Sequence, residues 1–142
     1  MTHLPDVNVL VALAWSTHVH HRRAVDWLSA HLPAAWATAP VTQSGFIRVS
    51  SNRRVLPDAR SPAEAASVLR ALTELAGHEV WADDLDLVRA PEASFERLVG
   101  YRQVTDAHLL ALAVRHEGRL VTFDAAIAGL ADRADRVMVL QL

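Results

Sequence analysis

The sequence predicts one α/β domain in which a parallel sheet is covered by helices on both faces. Its 142 residues suit a single domain with its own core, and hydrophobic residues make up 51% of them, more than a disordered chain carries. Short apolar strands alternate with helical segments, an order typical of parallel strand–helix–strand units. We find no internal repeat, linker or low-complexity segment. We therefore expect one domain over residues 1–142, with a short, mostly parallel sheet of four to five strands.

Prolines and apolar spacing divide the first half of the chain into two strands and three helices. Pro5 weakens the first strand by removing a backbone donor, Pro33 ends the second helix, and Pro40 begins the third. In order, the predicted elements are a strand at residues 2–5, a helix from residue 7, a turn at 16–17, a helix at about 18–32, a strand at 35–39 and a helix at about 40–50.

Capping signals mark the helices of the second half. The segment SPAEAASVLRALTELAG is the clearest helix, because Ser61 caps it, Glu64 completes a capping box and Gly77 stops it. In VTDAHLLALA, Thr105 is the expected N-cap, and Gly118 ends that helix. The other predicted elements are a strand at 78–82, an acidic turn at 83–86, a short helix at about 93–99, a strand at 119–123, a helix at 124–130 and a strand at 137–140.

The composition excludes several classes of function. The chain has no cysteine, which rules out disulfides and thiolate chemistry and is compatible with the cytoplasm, where we expect the protein. All 14 basic residues are arginine, so any mechanism that needs a lysine is excluded. With a net charge of −2, the molecule as a whole does not attract nucleic acid strongly. No apolar run is long enough to span a membrane and no basic segment precedes one at the N-terminus, so we expect no membrane partner and no signal peptide.

Three aspartates stand at the starts of helices, near the edge of the sheet where ligands bind. Asp6 follows the first strand and opens a helix, Asp124 does the same after the fourth strand, and Asp106 lies in the first turn of the helix before that strand. The carboxyl ends of parallel strands share one edge, so Asp6 and Asp124 lie on it and Asp106 can approach it. Each aspartate taken alone is also explained as a helix cap.

A bound cation would explain why three carboxylates gather. Carboxylates in close proximity repel one another and raise at least one pKa unless a cation compensates. Hard oxygen ligands without cysteine favour Mg²⁺, with Mn²⁺ as its substitute, over zinc. Asn8 could add a neutral oxygen ligand or orient a water molecule, or be an ordinary polar residue in the first turn of a helix.

Four segments, in this order and at suitable spacing, resemble the motifs of a known family. LPDVNVLVAL, PVTQSGFIRV, VTDAHLLALA and LVTFDAAI together resemble a PIN domain, and more narrowly the VapC toxins of bacterial VapBC toxin–antitoxin modules. The resemblance covers nearly the whole chain. It implies a three-layer α/β/α sandwich and a Mg²⁺-dependent endoribonuclease that leaves a 5′-phosphate and is neutralised by a VapB-type antitoxin. It also implies a homodimer and a hetero-oligomer of toxin and antitoxin.

The resemblance gives each acid a role and shows one departure from the family pattern. It makes Asp6 and Asp106 metal-binding acids, and Asp124 the last acid, acting directly or through water. Where the family usually has Glu, this chain has Gln43, whose amide can offer one oxygen but no charge. We therefore expect this chain to bind its metal ion more weakly than family members that have Glu at this position. An acid of the predicted turn at 83–86 could supply the missing charge in place of the glutamate. We nevertheless favour a solvated role for the three acids of that turn: Asp83, Asp84 and Asp86.

Arginine and aromatic side chains supply candidates for contacts with RNA. Four arginines flank the expected site in sequence and could either hold the RNA backbone or face solvent: Arg48, Arg53, Arg54 and Arg102. The tryptophans could stack on bases, but their apolar surroundings favour packing in the core or at a partner interface: Trp15, Trp27, Trp36 and Trp81. A last group is interpreted as the exposed start of a helix rather than a metal site: His18, His20 and His21.

Two other classes of function fit parts of the sequence. A phosphoaspartyl phosphatase or receiver domain also places an aspartate at a strand end, but such proteins normally use a lysine near the phosphate, and this chain has none. A catalytically inactive PIN-like module that binds RNA or protein is kept open by the neutral Gln43. Incubation with total RNA, with and without EDTA, distinguishes such a module from an enzyme.

Overall fold

Five short parallel strands form the sheet at the centre of the molecule. The computed structural model describes residues 1–32 and 34–142. The strands are β1 (His3–Pro5), β2 (Trp36–Thr38), β3 (His78–Val80), β4 (Arg119–Thr122) and β5 (Val137–Val139). They are ordered β3-β2-β1-β4-β5, and every neighbouring pair is parallel. The predicted parallel sheet is confirmed, with β1 as its central strand.

Helices cover both faces of this sheet. They are α1 (Val7–Ala14), α2 (His21–His31), α3 (Pro40–Ser50), α4 (Pro62–Thr73), α5 (Val104–Arg115) and α6 (Ala125–Ala128), with 3-10 helices at Tyr101–Gln103 and Ala134–Arg136. Helices α1 to α4 pack on one face, against Trp36 and Val121. Helices α5 and α6 pack on the other face, against Leu4 and Leu120. The chain is thus a three-layer α/β/α sandwich, as the resemblance implied.

The tryptophans belong to the core, as their apolar surroundings predicted. Trp27, Trp36 and Trp81 are at most 3% exposed. Trp15 is less buried, but its ring stacks on Phe46 with the centroids 6.1 Å apart. Among the described residues, no helix combines the length and the hydropathy that crossing a bilayer requires.

His3, the first residue of β1, is buried against α2. Its ring meets those of Trp27 and His31 edge-on, with centroids 6.1 Å and 5.1 Å away. Burial, reinforced by the charges of His31 and Arg119, lowers the pKa of His3 to about 4. The imidazole is therefore neutral at pH 7.

The second helix begins later than predicted. α2 starts at His21 rather than at about His18. His18 N–H donates to the carbonyl oxygen of Trp15, and His20 N–H donates to the Nδ1 atom of His18, both at 3.0 Å. These local bonds form turns that compete with a helix for the backbone donors. The predicted end of this helix at Pro33 lies outside the described residues.

The helix predicted at residues 93–99 does not form. Turns occupy residues 91–92 and 96–97, and the next helical residues are those of the 3-10 helix at Tyr101–Gln103. The apolar side chains of the segment do not face the core, since Phe95 is 38% and Val99 is 95% exposed. A short helix is stable mainly through the apolar face that it buries, and no residue of this segment is fully buried.

The fifth helix also begins differently. α5 starts at Val104, and Gln103 occupies the cap position, where no side chain bonds to the first turn. The prediction that Thr105 is the N-cap is therefore wrong. The 3-10 helix runs directly into α5, so the chain is already helical before Thr105. Asp106 lies in the first turn, as predicted.

Neither glycine predicted to stop a helix is the residue at which the helix ends. α4 ends at Thr73, and Gly77 instead takes a positive φ of 83° in the turn before β3. α5 ends at Arg115, and the left-handed conformation after it belongs to Glu117, with φ of 53°, rather than to Gly118. Gly118 instead allows the chain to lie close to the carbonyl oxygen of Thr2 and the ring of Trp81.

Replacing Gly118 by Ala is expected to destabilise the protein by about 2 to 3 kcal/mol. The added Cβ would lie 2.6 Å from the carbonyl oxygen of Thr2 and 2.5 Å from the ring of Trp81, so backbone must move. Gly100→Ala is the matched control, because no atom lies within 4 Å of its Cβ position. Urea unfolding measures both variants. Equal stability of the two would contradict the close packing at Gly118.

Candidate active site

Asp6 lies directly after β1, at the carboxyl edge of the sheet. Its side chain caps α1, because Oδ1 accepts a 2.9 Å hydrogen bond from the N–H of Val9. Its own N–H donates to the carbonyl oxygen of Val121 in β4, also at 2.9 Å. The residue is 6% exposed. The neighbouring helix and strand therefore fix the position and the direction of the carboxyl group.

The environment of Asp6 disfavours its ionised form. Burial, reinforced by the negative charges of Asp106 and Asp124, raises the pKa of Asp6 to about 6. Hydrogen bonds from the Thr122 hydroxyl and the Val9 N–H act in the opposite direction. At pH 8 the carboxylate is ionised in spite of its burial, and a nearby cation would stabilise it.

Asp124 occupies the matching place after β4. It caps α6, because Oδ1 accepts a 2.9 Å hydrogen bond from the N–H of Ala126. Its own N–H donates to Oγ1 of Thr122 at 3.0 Å. Since β1 and β4 pair in parallel, Thr122 also lies beside Asp6, and its hydroxyl acts to lower the pKa of that carboxyl group. The hydroxyl of Thr122 thus lies next to both aspartates.

Asp106 reaches the same edge from the start of α5. It lies in the first turn, where the helix N-terminus favours a negative charge. Burial, together with the charge of Asp124, raises the pKa of Asp106. Asp106 and Asp124 in turn act on Asp6. The structure therefore brings the three acids selected from the sequence into electrostatic contact at one edge of the sheet.

The donor atoms at this edge suit a hard divalent cation. The three aspartates offer carboxylate oxygens, and the chain has no thiolate. Over residues 1–32 and 34–142, no group of three or more Asp, Glu, His or Cys side chains is arranged so that it could hold a metal ion. Mg²⁺ is usually held by one or two carboxylates, with water and substrate phosphates completing its coordination. Asp6 and Asp106 are the two partly or fully buried carboxylates at this edge that would have to hold it.

The two neutral candidates lie on separate helices. Asn8 is exposed in the first turn of α1, two residues after Asp6. Gln43 lies in α3 and donates from Nε2 to Oγ1 of Thr38 at 3.0 Å, at the carboxyl end of β2. The same hydroxyl lies 2.9 Å from Nε2 of His78. The amide nitrogen of Gln43 is therefore bonded inside the protein, which leaves its carbonyl oxygen as the candidate ligand atom.

The acids predicted to form a turn at 83–86 lie instead in an irregular loop after β3, close to basic side chains, and the turn follows at 87–89. Oδ2 of Asp83 is 2.8 Å from Nε2 of His108, and the two side chains are 15% and 17% exposed. This is an ion-pair distance, although the orientation is not that of a hydrogen bond. A solvated role is therefore wrong for Asp83. The other two are exposed and lie 3.5 Å and 3.3 Å from arginines: Asp84 from Arg115, and Asp86 from Arg89.

The four candidate RNA-binding arginines are exposed. Arg48 lies in the last turn of α3, Arg53 and Arg54 in the loop after it, and Arg102 just before α5. Within the described part of the chain, none of them forms an ion pair with a carboxylate. Their charges are therefore available to phosphate groups.

The histidine tract is only partly the exposed start of a helix. His18 and His20 lie half-buried in the turns before α2, and His21 begins that helix. Nδ1 of His21 lies 2.7 Å from the carbonyl oxygen of Ala12, which ties the start of α2 to α1. The tract is a local structural element.

Two buried threonines were missed in the sequence. Thr38 and Thr122 are the last residues of β2 and β4, and both are 0% exposed. Thr38 contacts Gln43, and Thr122 contacts Asp6. The sequence feature that could have predicted them is a threonine as the last residue of an apolar strand, at the edge of the sheet where the acids lie.

The chain is similar in sequence and in fold to known proteins. It matches the PIN domain family over residues 4–133. It is 49% identical over 128 residues to ribonuclease VapC39 of Mycobacterium tuberculosis, covering 90% of this chain and 92% of that protein. It is 51% identical over 136 residues to ribonuclease VapC38 of the same species, covering 96% and 94%.

A solved structure shows the same fold. The crystal structure of Mycobacterium tuberculosis VapC20, a sarcin-ricin loop cleaving toxin, superposes with a TM-score of 0.62 over 94% of this chain and 98% of that one. The sequence identity is 15%, so this likeness concerns the fold alone. The family match and the two relatives nevertheless cover most of the chain. The chain therefore belongs to the PIN domain family and, within it, to the VapC ribonuclease toxins.

Proposed function

We propose that this chain is the toxin of a toxin–antitoxin module, and that it hydrolyses RNA phosphodiester bonds with Mg²⁺ at the site of Asp6, Asp106 and Asp124. The observation that carries the proposal is the burial of Asp6 beside two further carboxylates. Like charges and burial both oppose ionisation, so the arrangement lowers the stability of the protein without a cation. Strongly perturbed carboxylates of this kind are concentrated at functional sites.

Each side chain of the site has a task in the proposed reaction. Asp6, fixed by α1 and β4, and Asp106, at the N-terminus of α5, supply two anionic ligands. Mg²⁺, when bound, acts as a Lewis acid that neutralises the phosphate and activates water. Asp124 is exposed and can accept a hydrogen bond from a water molecule, and Asn8 can orient one.

The proposed products follow from attack of water on the phosphorus atom. The water oxygen bonds to phosphorus in line with the departing 3′ oxygen, which takes up a proton. One RNA fragment then ends in a 3′ hydroxyl and the other in a 5′-phosphate. Exposed arginines can hold the flanking phosphates and keep this alignment: Arg48, Arg53, Arg54 and Arg102.

Incubation with total cellular RNA tests the proposal. Cleavage is expected with Mg²⁺ or Mn²⁺, is expected to stop with excess EDTA, and is expected to return when Mg²⁺ is added back. Labelling of the new 5′ ends distinguishes a 5′-phosphate from a 5′ hydroxyl. RNA that stays intact under every condition would contradict the enzyme and favour the binding module that Gln43 keeps open.

The Gln43→Glu variant is expected to bind Mg²⁺ about tenfold more tightly than the wild type. Glu adds a negative charge where the family usually has one, and the hydroxyl of Thr38 can donate to it in place of accepting from the amide. Calorimetry measures the affinity. Gln141→Glu is the matched control, because it makes the same charge change at an exposed position near the C-terminus. Equal affinities of the two variants would place Gln43 outside the metal site.

We further propose that a VapB-type antitoxin inhibits this chain, and that the chain forms a homodimer and a hetero-oligomer with the antitoxin. Membership of the VapC ribonucleases supports this proposal. The two proteins are expected to co-purify, and RNA cleavage is expected to stop when the antitoxin is in excess. Unchanged cleavage with a saturating amount of antitoxin would contradict the inhibition.

A further inference from the structure

Immediately before α5, the chain exposes an aromatic ring and a guanidinium group side by side. Tyr101 is 80% exposed. The Cζ atom of Arg102 lies 5.8 Å from the centroid of the tyrosine ring, and its Nε donates to the tyrosine Oη at 3.3 Å. The pair therefore presents a flat π surface and a positive charge to the solvent.

The pair is held in a fixed position relative to Asp106. It lies in the 3-10 helix that runs without a break into α5. The preceding loop is tied down, since the N–H of Val99 donates to Oε1 of Gln103 at 2.8 Å, and the N–H of Gln103 donates to the carbonyl oxygen of Gly100 at 3.2 Å. Residues four apart are neighbours on a helix surface, so Arg102 lies one turn before Asp106 on about the same side.

The charge of Arg102 is available to a ligand, unlike that of three other arginines between β3 and β4. Arg89, Arg97 and Arg115 each lie within 3.3 Å of a carboxylate oxygen. In the ranges that the structure describes, Arg102 has no such partner. A guanidinium group without a carboxylate, one helical turn from Asp106, is complementary to a phosphate bound at the site.

We propose that Tyr101 and Arg102 form a nucleotide platform, on which an unpaired base of the RNA substrate stacks next to the phosphate that is cleaved. The proposal rests on the ribonuclease function proposed above. Arg102 contacts the phosphate on the side of Asp106, and the ring of Tyr101 takes the adjoining base. Only a base that is not paired and stacked within a duplex can present its face to the ring. The platform therefore selects single-stranded segments next to the cleaved bond.

Kinetics on a short single-stranded RNA test the platform. Tyr101→Ala is expected to raise KM about 5- to 150-fold, the range of losses for one base–aromatic stack, and to change kcat little. Tyr101→Phe keeps the ring and is expected to keep KM within about twofold of the wild-type value. Val88→Ala is the matched control, because it shortens an equally exposed side chain of the preceding loop.

A spectroscopic measurement reports on the ring independently of cleavage. Tyr101 is the single tyrosine of the chain, so incorporation of 3-fluorotyrosine gives one ¹⁹F resonance. In the Asp6→Asn background, which is expected to leave the RNA intact, the single-stranded RNA is expected to shift this resonance. The same sequence annealed into a duplex is expected to shift it much less.

The outcomes separate the platform from the function on which it rests. A wild-type protein that cleaves RNA, with unchanged KM in Tyr101→Ala and an unmoved ¹⁹F resonance, overturns the platform and leaves the ribonuclease standing. A wild-type protein without cleavage in Mg²⁺ or Mn²⁺ overturns the ribonuclease, whatever the resonance does. A resonance that moves with protein concentration alone, together with weaker self-association of Tyr101→Ala, assigns the ring to a subunit contact and overturns the platform.

Discussion

The Asp6→Asn variant is expected to lose RNA cleavage and yet to be more stable than the wild type when no metal is present. Loss of a charged ligand from the site is expected to lower the cleavage rate by at least about 100-fold, as for other groups that stabilise charge in a transition state. The amide keeps an Oδ1 atom that can accept the hydrogen bond from the N–H of Val9, so the cap of α1 survives. The variant removes the buried charge and retains the fold.

Burial of Asp6 sets the direction of the stability change. Its carboxyl group has a pKa of 3.8 in the unfolded chain and of about 6 in the folded protein, so the folded state binds more protons between these values. The stability of the wild type therefore falls as the pH rises from about 4 to about 6, and it stays lower above that. We expect Asp6→Asn to be more stable by about 2 to 3 kcal/mol at pH 8, with the difference disappearing near pH 4.

Denaturant unfolding at pH 8 in EDTA measures this difference. Asp26→Asn is the matched control, because it makes the same substitution at an exposed position of α2, an element that carries none of the three acids of the site. It is expected to change neither stability nor cleavage. Added Mg²⁺ is expected to stabilise the wild type and the control but not Asp6→Asn. An Asp6→Asn protein that cleaves RNA at the wild-type rate would contradict the proposed site.

The Asp106→Asn variant is also expected to cleave RNA at least about 100-fold more slowly, with its fold intact. Asp106 interacts with the other two acids from the start of α5, so its charge is part of the same site. An amide at this position keeps the shape of the side chain and loses the anionic ligand. Circular dichroism and the midpoint of thermal unfolding verify the fold, and single-turnover cleavage of a labelled RNA measures the rate.

The neighbouring Thr105→Ala variant is the control for Asp106→Asn. Thr105 is exposed and does not cap α5, so its loss is expected to leave cleavage unchanged and to destabilise the protein by less than the roughly 1 kcal/mol of a lost cap. Equal losses of activity in the two variants would indicate that α5 has shifted and that Asp106 has no specific role.

The sequence predicted the elements whose local signals agree with their burial. Pro40 at the first position of α3 and Ser61 as the cap of α4 both do in the structure what they predicted, because proline and serine at a helix start act through bonds within one turn. Most apolar positions of α1 and α5 are buried, which is why the presence of both helices could be predicted, although the start and the end of α5 could not.

The errors occurred where bonds between side chain and backbone, or exposure, decide the structure. His18 accepts a hydrogen bond from the N–H of His20, a contact that no helical periodicity reveals. Val99 is 95% exposed, so a helix over the segment before α5 would bury too little apolar surface to be stable. At Thr105 the residue type favours a cap, but the preceding 3-10 helix displaces the start of α5.

The acids of the candidate site could be selected from the sequence because their positions relative to the predicted strands and helices place them at one edge of the sheet. Asp6 comes directly after β1 and Asp124 two residues after the end of β4, and parallel strands place their carboxyl ends along one edge. The environment of each acid was not predictable, because it depends on contacts across the sheet. The placement of Thr122 beside both aspartates and the pairing of Asp83 with His108 involve residues from different elements.

The first residue of the central strand β1 and the residue that follows its last one are titratable groups whose burial changes stability with pH in opposite directions: His3 and Asp6. His3 has a pKa of 6.5 in the unfolded chain and of about 4 in the folded protein, so its burial lowers stability as the pH falls through this range, by up to about 3 kcal/mol. Over nearly the same range Asp6 raises stability by a similar amount. The contributions of these two groups to the free energy of unfolding therefore nearly cancel in mild acid. Asp6→Asn removes the opposing contribution, so its stability is expected to fall more steeply than that of the wild type as the pH falls from about 6 to about 4.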